Sequence, residues 1–125
     1  MSLVGLGGAL GTLARYACAQ TWPDRSGHFP LTIFLVNVSG ALLIGALLTW
    51  LSRAGRMDSP RLFCSVGVLG GWTTMSTFAI GFDELLAHRH PAIALLYAAS
   101  TLITGAIATG FGISVATRVP RLPSR

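Results

Sequence analysis

The apolar residues of this chain fall into four long blocks separated by short polar stretches. Two of them, Leu31 to Leu51 and Leu62 to Phe82, contain no charged residue over 21 positions each. The last block, Pro91 to Thr117, contains none over 27, and the first, Leu3 to Trp22, contains one, Arg15. A helix needs about 20 such residues to cross the hydrocarbon core of a membrane. The pattern therefore predicts an all-α membrane protein with four transmembrane helices.

The amino-acid composition also indicates that the chain lies in a membrane. Of the 125 residues, 52% are hydrophobic and 10% are charged, and the mean hydropathy is +0.65. A soluble domain typically carries about 25% charged residues, so we expect residues 1–125 to form one membrane domain. The stretch Ala17-Cys18-Ala19 has the form of a signal-peptide cleavage site, but Arg15 interrupts the apolar run before it. We therefore expect the first block to be a span, not a cleaved leader.

The positive charges indicate an orientation for the four spans. With four spans, both termini and the second loop lie on one side of the membrane, and the other two loops lie on the opposite side. The first side holds Arg53, Arg56, Arg61, Arg118, Arg121 and Arg125, and the second side holds Arg25 and Arg89. Short loops rich in Lys and Arg stay in the cytoplasm, so we expect a plasma-membrane protein with cytoplasmic termini. Because these arginines meet lipid phosphates, no nucleic-acid partner is expected.

Polar residues inside the spans are costly in lipid and therefore mark candidate functional positions. The second span carries Asn37, whose amide offers two donors and one acceptor site. The fourth span carries Tyr97, Thr101 and Thr104 on one helical face. Hydroxyls in lipid can also bond the carbonyls of their own helix. That alternative stays open for Thr101 and Thr109.

The third span contains the unusual stretch GGWTTMSTF, residues 70–78. Each of its two glycines weakens a helix by about 1 kcal/mol relative to alanine, and its four Ser and Thr residues compete for backbone hydrogen bonds. We therefore predict a break near the middle of the span. Carbonyls freed at this depth need a partner in protein, water or an ion, and broken helices are where membrane proteins build ion sites. A simple glycine kink is the alternative.

The predicted spans contain no acidic residue. Proton-coupled exporters of cations normally use an embedded carboxylate, which disfavours a small four-span multidrug or cation exporter, the main alternative. The remaining polar groups, Asn37, the hydroxyls and Arg15, are donors that suit a small anion. No nucleophile–base pair, metal-ligand triad or phosphate loop is present, so an enzyme is not expected.

Three stretches carry motifs in the same order as a known family. They are GGALGTLARY at 7–16, VNVSG at 36–40 and GGWTTMSTF at 70–78. They resemble the patterns GGxxGAxxRY, VNxxG and GGxTTFSTF of the Fluc or CrcB family of small fluoride channels. The resemblance implies a fluoride-selective passive channel that exports fluoride from the cytoplasm and lowers its toxicity.

The resemblance also implies an assembly and a set of site residues. Two subunits would form an antiparallel dimer with two fluoride pores and a structural sodium ion at its centre. Backbone carbonyls of Gly70 and Thr73 in both subunits would hold the sodium. The implied fluoride path consists of Asn37, Met75, Ser76, Phe78, Tyr97, Thr101 and, near an entrance, Arg15.

Two features depart from the family pattern. Met75 replaces the first of two phenylalanines whose ring edges face the anion, and methionine has no positive aromatic edge. Homodimers in the family insert in both orientations and need nearly balanced loop charge, whereas the arginines here are six against two. We therefore hypothesise that the chain inserts one way and pairs with an oppositely oriented paralogue. A structural subunit that only supports a partner's pores is a further alternative.

Overall fold

The computed structural model describes residues 2–54 and 62–119. Within these ranges the chain forms helices and the loops between them: α1 (Ser2–Thr21), α2 (Leu31–Arg53), α3 (Leu62–Leu69), α4 (Gly70–Trp72), α5 (Met75–Ala87) and α6 (Pro91–Arg118). The predicted all-α class is confirmed. Segments α3 to α5 together form the third long helical run, and α3 is a π-helix, which is wound more loosely than an α-helix.

Within residues 2–54 and 62–119, three helical runs are long and apolar enough to cross a membrane: α2, the run Leu62–Ala87, and α6. Helix α1 does not reach the same hydropathy, because Arg15 and Gln20 interrupt its apolar residues. That α1 forms a fourth span therefore stays a prediction. The third apolar block ends at Phe82, whereas α5 continues to Ala87 and carries two acidic residues in its last turns.

The orientation prediction depends in part on residues that the structure does not describe. Arg56, Arg61, Arg121 and Arg125 lie outside the described ranges. Within them, the guanidinium of Arg53 donates to the carbonyl of Val119 at 3.4 Å. The ends of α2 and α6 therefore meet at one end of the molecule, as the predicted topology requires.

The helices pack in two groups, and the third run takes part in both. Helix α1 packs on α3 and α4, α2 packs on α6, and α1 makes little contact with α2. After the break at Thr73 and Thr74, α5 packs on α6 instead of α1. The third run therefore changes its neighbours at the break, and this change of neighbours positions the candidate site.

Glycines allow α1 to approach the third run at backbone contact. A Cβ added at Gly11 would overlap the carbonyl oxygen of Val68, and one at Gly71 would overlap the carbonyl oxygen of Gly8. In lipid, small faces of this kind allow helices to associate through van der Waals packing. The contact fixes α3 and α4 against α1 without leaving space between them.

The loop before α2 is fixed by Asp24. Its carboxylate accepts hydrogen bonds from the backbone N–H groups of Thr32 at 2.8 Å and Ile33 at 3.3 Å. These are first-turn donors at the positive end of α2, where a negative charge is favourable. In the same loop Gly27, with φ of +73°, lies against the ring of His88 in the loop between α5 and α6. Both loops therefore lie at the same end.

Candidate functional site

The third helical run is interrupted at Thr73 and Thr74, as the sequence predicts. Both residues are extended, with φ/ψ of −75°/151° at Thr73 and −146°/120° at Thr74. The hydroxyl of Thr74 caps α5 by accepting the N–H of Thr77 at 3.1 Å. Since Gly70 and Gly71 themselves are helical, the interruption is not the simple glycine kink considered as an alternative.

Asn37 of α2 replaces the helical hydrogen bonds that Thr74 lacks. Its Oδ1 accepts the backbone N–H of Thr74 at 2.9 Å, and its Nδ2 donates to the Thr74 carbonyl at 3.2 Å. This pairing holds the extended residue as a neighbouring strand would. Because an amide has two N–H donors, one N–H of Asn37 is not used by either bond.

The break also diverts the donors that would bond the carbonyls of Gly70 and Thr73. In a continuous helix these carbonyls would accept the N–H groups of Thr74 and Thr77. Instead, the N–H of Thr74 donates to Asn37, and that of Thr77 donates to the Thr74 hydroxyl. Unwound backbone carbonyls are the groups that coordinate sodium in broken membrane helices. The two carbonyls expected to hold sodium are therefore among those at the break that have lost their helical donors.

Side chains offer no competing metal site in the described parts of the chain. No group of three His, Cys, Asp or Glu residues there lies close enough to hold a metal ion.

Arg15 approaches the break from α1. Its Nε donates to the carbonyl of Gly71 at 3.2 Å, and the hydroxyl of Thr12 lies 3.5 Å from the same oxygen. The side chain is half-buried. Arg15 therefore ties α1 to the end of α4, on the side of the break away from Asn37.

A groove of about 420 Å³ opens beside the break, between α2, α5 and α6. Four of the seven predicted path residues lie in its wall: Asn37, Met75, Phe78 and Thr101. Further polar positions in the wall are Thr73, Thr74 and Thr109, and the remaining residues are small or aliphatic. None of the described residues that line the groove is charged. The groove is therefore an uncharged, partly polar surface at the break.

The threonine hydroxyls of α6 already have acceptors. Thr101 donates to the carbonyl of Tyr97 at 2.7 Å, and Thr109 lies within bonding distance of the carbonyls of Gly105 at 3.0 Å and Ala41 at 3.1 Å. The alternative that these hydroxyls bond helix carbonyls is therefore confirmed. Since a hydroxyl has one proton, an anion in the groove must compete with a carbonyl for it.

Two further predicted path residues lie outside the groove wall. Tyr97 is fully buried, with its ring centroid 5.3 Å from that of Phe29 and 4.9 Å from that of Phe78. Its hydroxyl has no hydrogen-bond partner among the described residues. Ser76 is exposed, and its hydroxyl lies 3.2 Å from that of Thr74. Tyr97 thus lies behind Phe78, and Ser76 belongs to the cap of α5.

Comparison with known proteins identifies a matching family and several similar proteins. Residues 2–113 match the family described as "CrcB-like protein, Camphor Resistance (CrcB)". The chain is 42% identical over 116 residues to the fluoride-specific ion channel FluC 3 of Streptomyces avermitilis, and 45% identical over 105 residues to FluC 2 of that organism. It is 36% identical over 117 residues to the fluoride-specific ion channel FluC of Novosphingobium aromaticivorans.

The extent of these matches differs between the relatives. The alignments cover 92%, 82% and 91% of this chain, in the same order. They cover 57% and 65% of the two Streptomyces proteins and 93% of the Novosphingobium protein. The chain therefore spans about three fifths of the length of the first two relatives.

Proposed function

The chain belongs to the CrcB family, and we propose that it is a fluoride-selective passive channel through which fluoride leaves the cytoplasm. The observation that carries the proposal is the groove at the break, where Asn37 and Phe78 share one uncharged wall with threonine hydroxyls. The fluoride-specific channels to which the chain is 36–45% identical support the choice of anion.

The groove has the chemistry that a conducting anion path requires. A small anion gives up its water only where donors replace it, and it leaves again only if binding is weak. The unused N–H of Asn37 is such a donor, and the positive ring edge of Phe78 is a weaker one. Because no described residue in the wall carries a positive charge, the anion is not trapped by a fixed counter-ion.

We further propose that the groove becomes a closed pore in an antiparallel dimer. Polar groups at membrane depth must be covered by protein or face water, and the groove is open on one side in the single chain. The arginine bias favours a paralogue of opposite orientation as the second subunit. The existence of FluC 2 and FluC 3 in one organism supports that choice.

A sodium ion at the dimer centre is part of this proposal. The carbonyls of Gly70 and Thr73 would hold it, since their helical donors are diverted to Asn37 and to the cap of α5. When bound, the ion would supply a fixed positive charge that joins the breaks of two subunits. In this chain the last helical turn before the break carries the Gly70 oxygen, and the extended backbone at Thr73 carries the other.

Efflux from proteoliposomes tests the proposed function. The chain is reconstituted alone and together with a paralogue, and release of fluoride down its gradient is followed with a fluoride electrode. We expect fluoride release without any proton gradient, and chloride release far below it. Absence of fluoride release in both preparations would overturn the proposal, and uptake of lipophilic cations driven by a pH gradient would favour the exporter.

A further inference from the structure

Helix α2 also contacts the break on the face away from the groove. The indole Nε1 of Trp72 donates to the hydroxyl oxygen of Ser39 at 3.0 Å. That hydroxyl in turn donates its proton to the carbonyl of Val36 at 2.9 Å. Ser39 and Trp72 both line a second cleft, which lies between α1 and α2. The hydroxyl is therefore held as an acceptor for the indole.

Gly40 makes room for the residue between these two contacts. It is buried, and a Cβ there would overlap Cγ2 of Thr73 and lie 3.1 Å from Cδ1 of Trp72. The hydroxyl of Thr73 donates to the carbonyl of Leu69 at 3.0 Å, which leaves the methyl group of Thr73 facing Gly40.

Three nearby positions of α2 therefore contact three consecutive residues of the break. Asn37 pairs with Thr74 on the groove side, Gly40 receives the methyl group of Thr73, and Ser39 pairs with Trp72 on the other side. Residues two apart on a helix do not share a face, so Asn37 and Ser39 hold the break from different directions. Helix α4 continues directly from α3 and packs on α1. The contacts of α2 therefore act on its last residue, Trp72, and on the extended residues that follow.

We propose that Ser39 is a positioning residue for the fluoride path. Acting through the indole of Trp72, it fixes the end of α4 and hence the direction in which Thr73 and Thr74 enter the groove. The inference rests on the proposed function, since it concerns the same path. Without Ser39, Asn37 would still hold Thr74, but Trp72 would lose its hydrogen bond to α2.

A double-mutant cycle tests the pair by fluoride efflux. We expect Ser39→Ala to lower the flux about tenfold, because a shielded indole N–H loses its acceptor. Trp72→Phe removes that donor as well, so adding Ser39→Ala to it should change the flux less than about twofold. Ser39→Thr keeps the acceptor and should retain most of the flux. Equal losses from Ser39→Ala in both backgrounds would overturn the proposal.

A matched control comes from α6. The hydroxyl of Ser114 donates to the carbonyl of its own helix at Gly110, at 2.9 Å. Ser114→Ala therefore removes a similar hydroxyl that contacts nothing at the break, and it should leave the flux within about twofold. If Ser39→Ala fails to insert, comparison of Trp72→Phe with the double variant decides the case. A further loss well above twofold there would contradict the pairing.

Indole fluorescence provides a readout that does not require conduction. With Trp22→Phe and Trp50→Phe as background, Trp72 is the only tryptophan of the chain. Ser39→Ala should shift its emission to shorter wavelength, since the indole N–H loses a polar partner, and Ser39→Thr should not. An unchanged emission would overturn the proposal. Absence of fluoride release from the wild-type chain both alone and together with a paralogue would overturn the proposed function, while the emission still decides whether Ser39 orients Trp72.

Discussion

The two sides of the break are built in different ways. On the α1 side, the third run meets its neighbour backbone to backbone, because Gly8, Gly11 and Gly71 carry no side chain. On the groove side, α5 meets α2 and α6 through side chains, and a space of about 420 Å³ remains between them. The same interruption thus separates a close-packed half of the run from an open half.

The hydrogen bonds at the break show the same contrast. On the α1 side Arg15 caps one carbonyl, that of Gly71. On the groove side Asn37 binds both backbone groups of Thr74 and still has one N–H left. The first side fixes where the backbone lies, and the second leaves donors available. We infer that a conducting break needs both, since donors on a loose backbone would bind nearby carbonyl oxygens instead of an anion.

The largest effect on fluoride flux is expected from Asn37→Asp, which disrupts the hydrogen bonds on the groove side of the break. A carboxylate can still accept the N–H of Thr74 but cannot donate to its carbonyl, so two oxygens would face each other 3.2 Å apart. It also adds a negative charge beside the proposed anion path. We expect fluoride flux to fall at least about a hundredfold, which corresponds to about 3 kcal/mol, in the proteoliposome efflux assay.

Ser52→Asp is the matched control for the added charge. Ser52 lies exposed in the last turn of α2, far along the helix from the groove wall. This variant should keep most of the fluoride flux. Wild-type flux in Asn37→Asp would mean that the groove is not the path.

The next largest effect, here on protein yield, is expected from Gly11→Ala, which disrupts the backbone contact between α1 and the third run. The added methyl group would overlap the carbonyl of Val68 and lie 2.8 Å from the backbone nitrogen of Trp72. Overpacking of this kind typically costs about 1–3 kcal/mol, so we expect the yield of monodisperse protein to fall about tenfold. Gly5→Ala makes the same change in α1 at a position with nothing within 4 Å. Similar yields from the two variants would contradict the backbone contact.

The helices and the break could be predicted because their signals are local. Long uncharged blocks indicate helices in lipid, and two glycines followed by threonines weaken a helix wherever they occur. The observed helix ends lie within two residues of the apolar blocks, except that α5 continues to Ala87. That extension was missed because Asp83 and Glu84 end the apolar pattern without ending the helix.

The partners of the polar residues could not be predicted in the same way. Helical spacing places Tyr97 and Thr101 on one face, but it does not show that Phe29 and Phe78 cover Tyr97. Asn37 has the signature of a donor to an anion, and its pairing with Thr74 depends on a contact between residues 37 positions apart. Such contacts are set by tertiary packing, for which the spacing within one helix gives no signal.

A smaller effect is expected from Arg15→Met, which removes the polar tie of the packed side. Methionine keeps much of the length but cannot donate to the Gly71 carbonyl, now 3.2 Å from Nε. Because the glycine contacts between α1 and the third run remain, we expect a loss of flux of only about fivefold, or about 1 kcal/mol. Arg15→Lys keeps a charged donor and should lose less. Equal losses in both variants would show that this hydrogen bond does not matter.

The smallest effect on fluoride flux is expected from Met75→Phe, which adds a second aromatic ring to the groove side of the break. Met75 is 75% exposed and lies in the groove wall with Phe78. A phenyl ring would add a second positive edge beside the path, and such aromatic contacts are worth about 0.5–1.5 kcal/mol. We expect fluoride flux to rise about two- to threefold, while chloride flux stays unchanged. Met75→Leu, similar in size but without a ring, should leave both unchanged. If the phenyl variant also changes nothing, the groove beside Met75 does not limit the flux, and in the proposed dimer the second pore would carry the conduction.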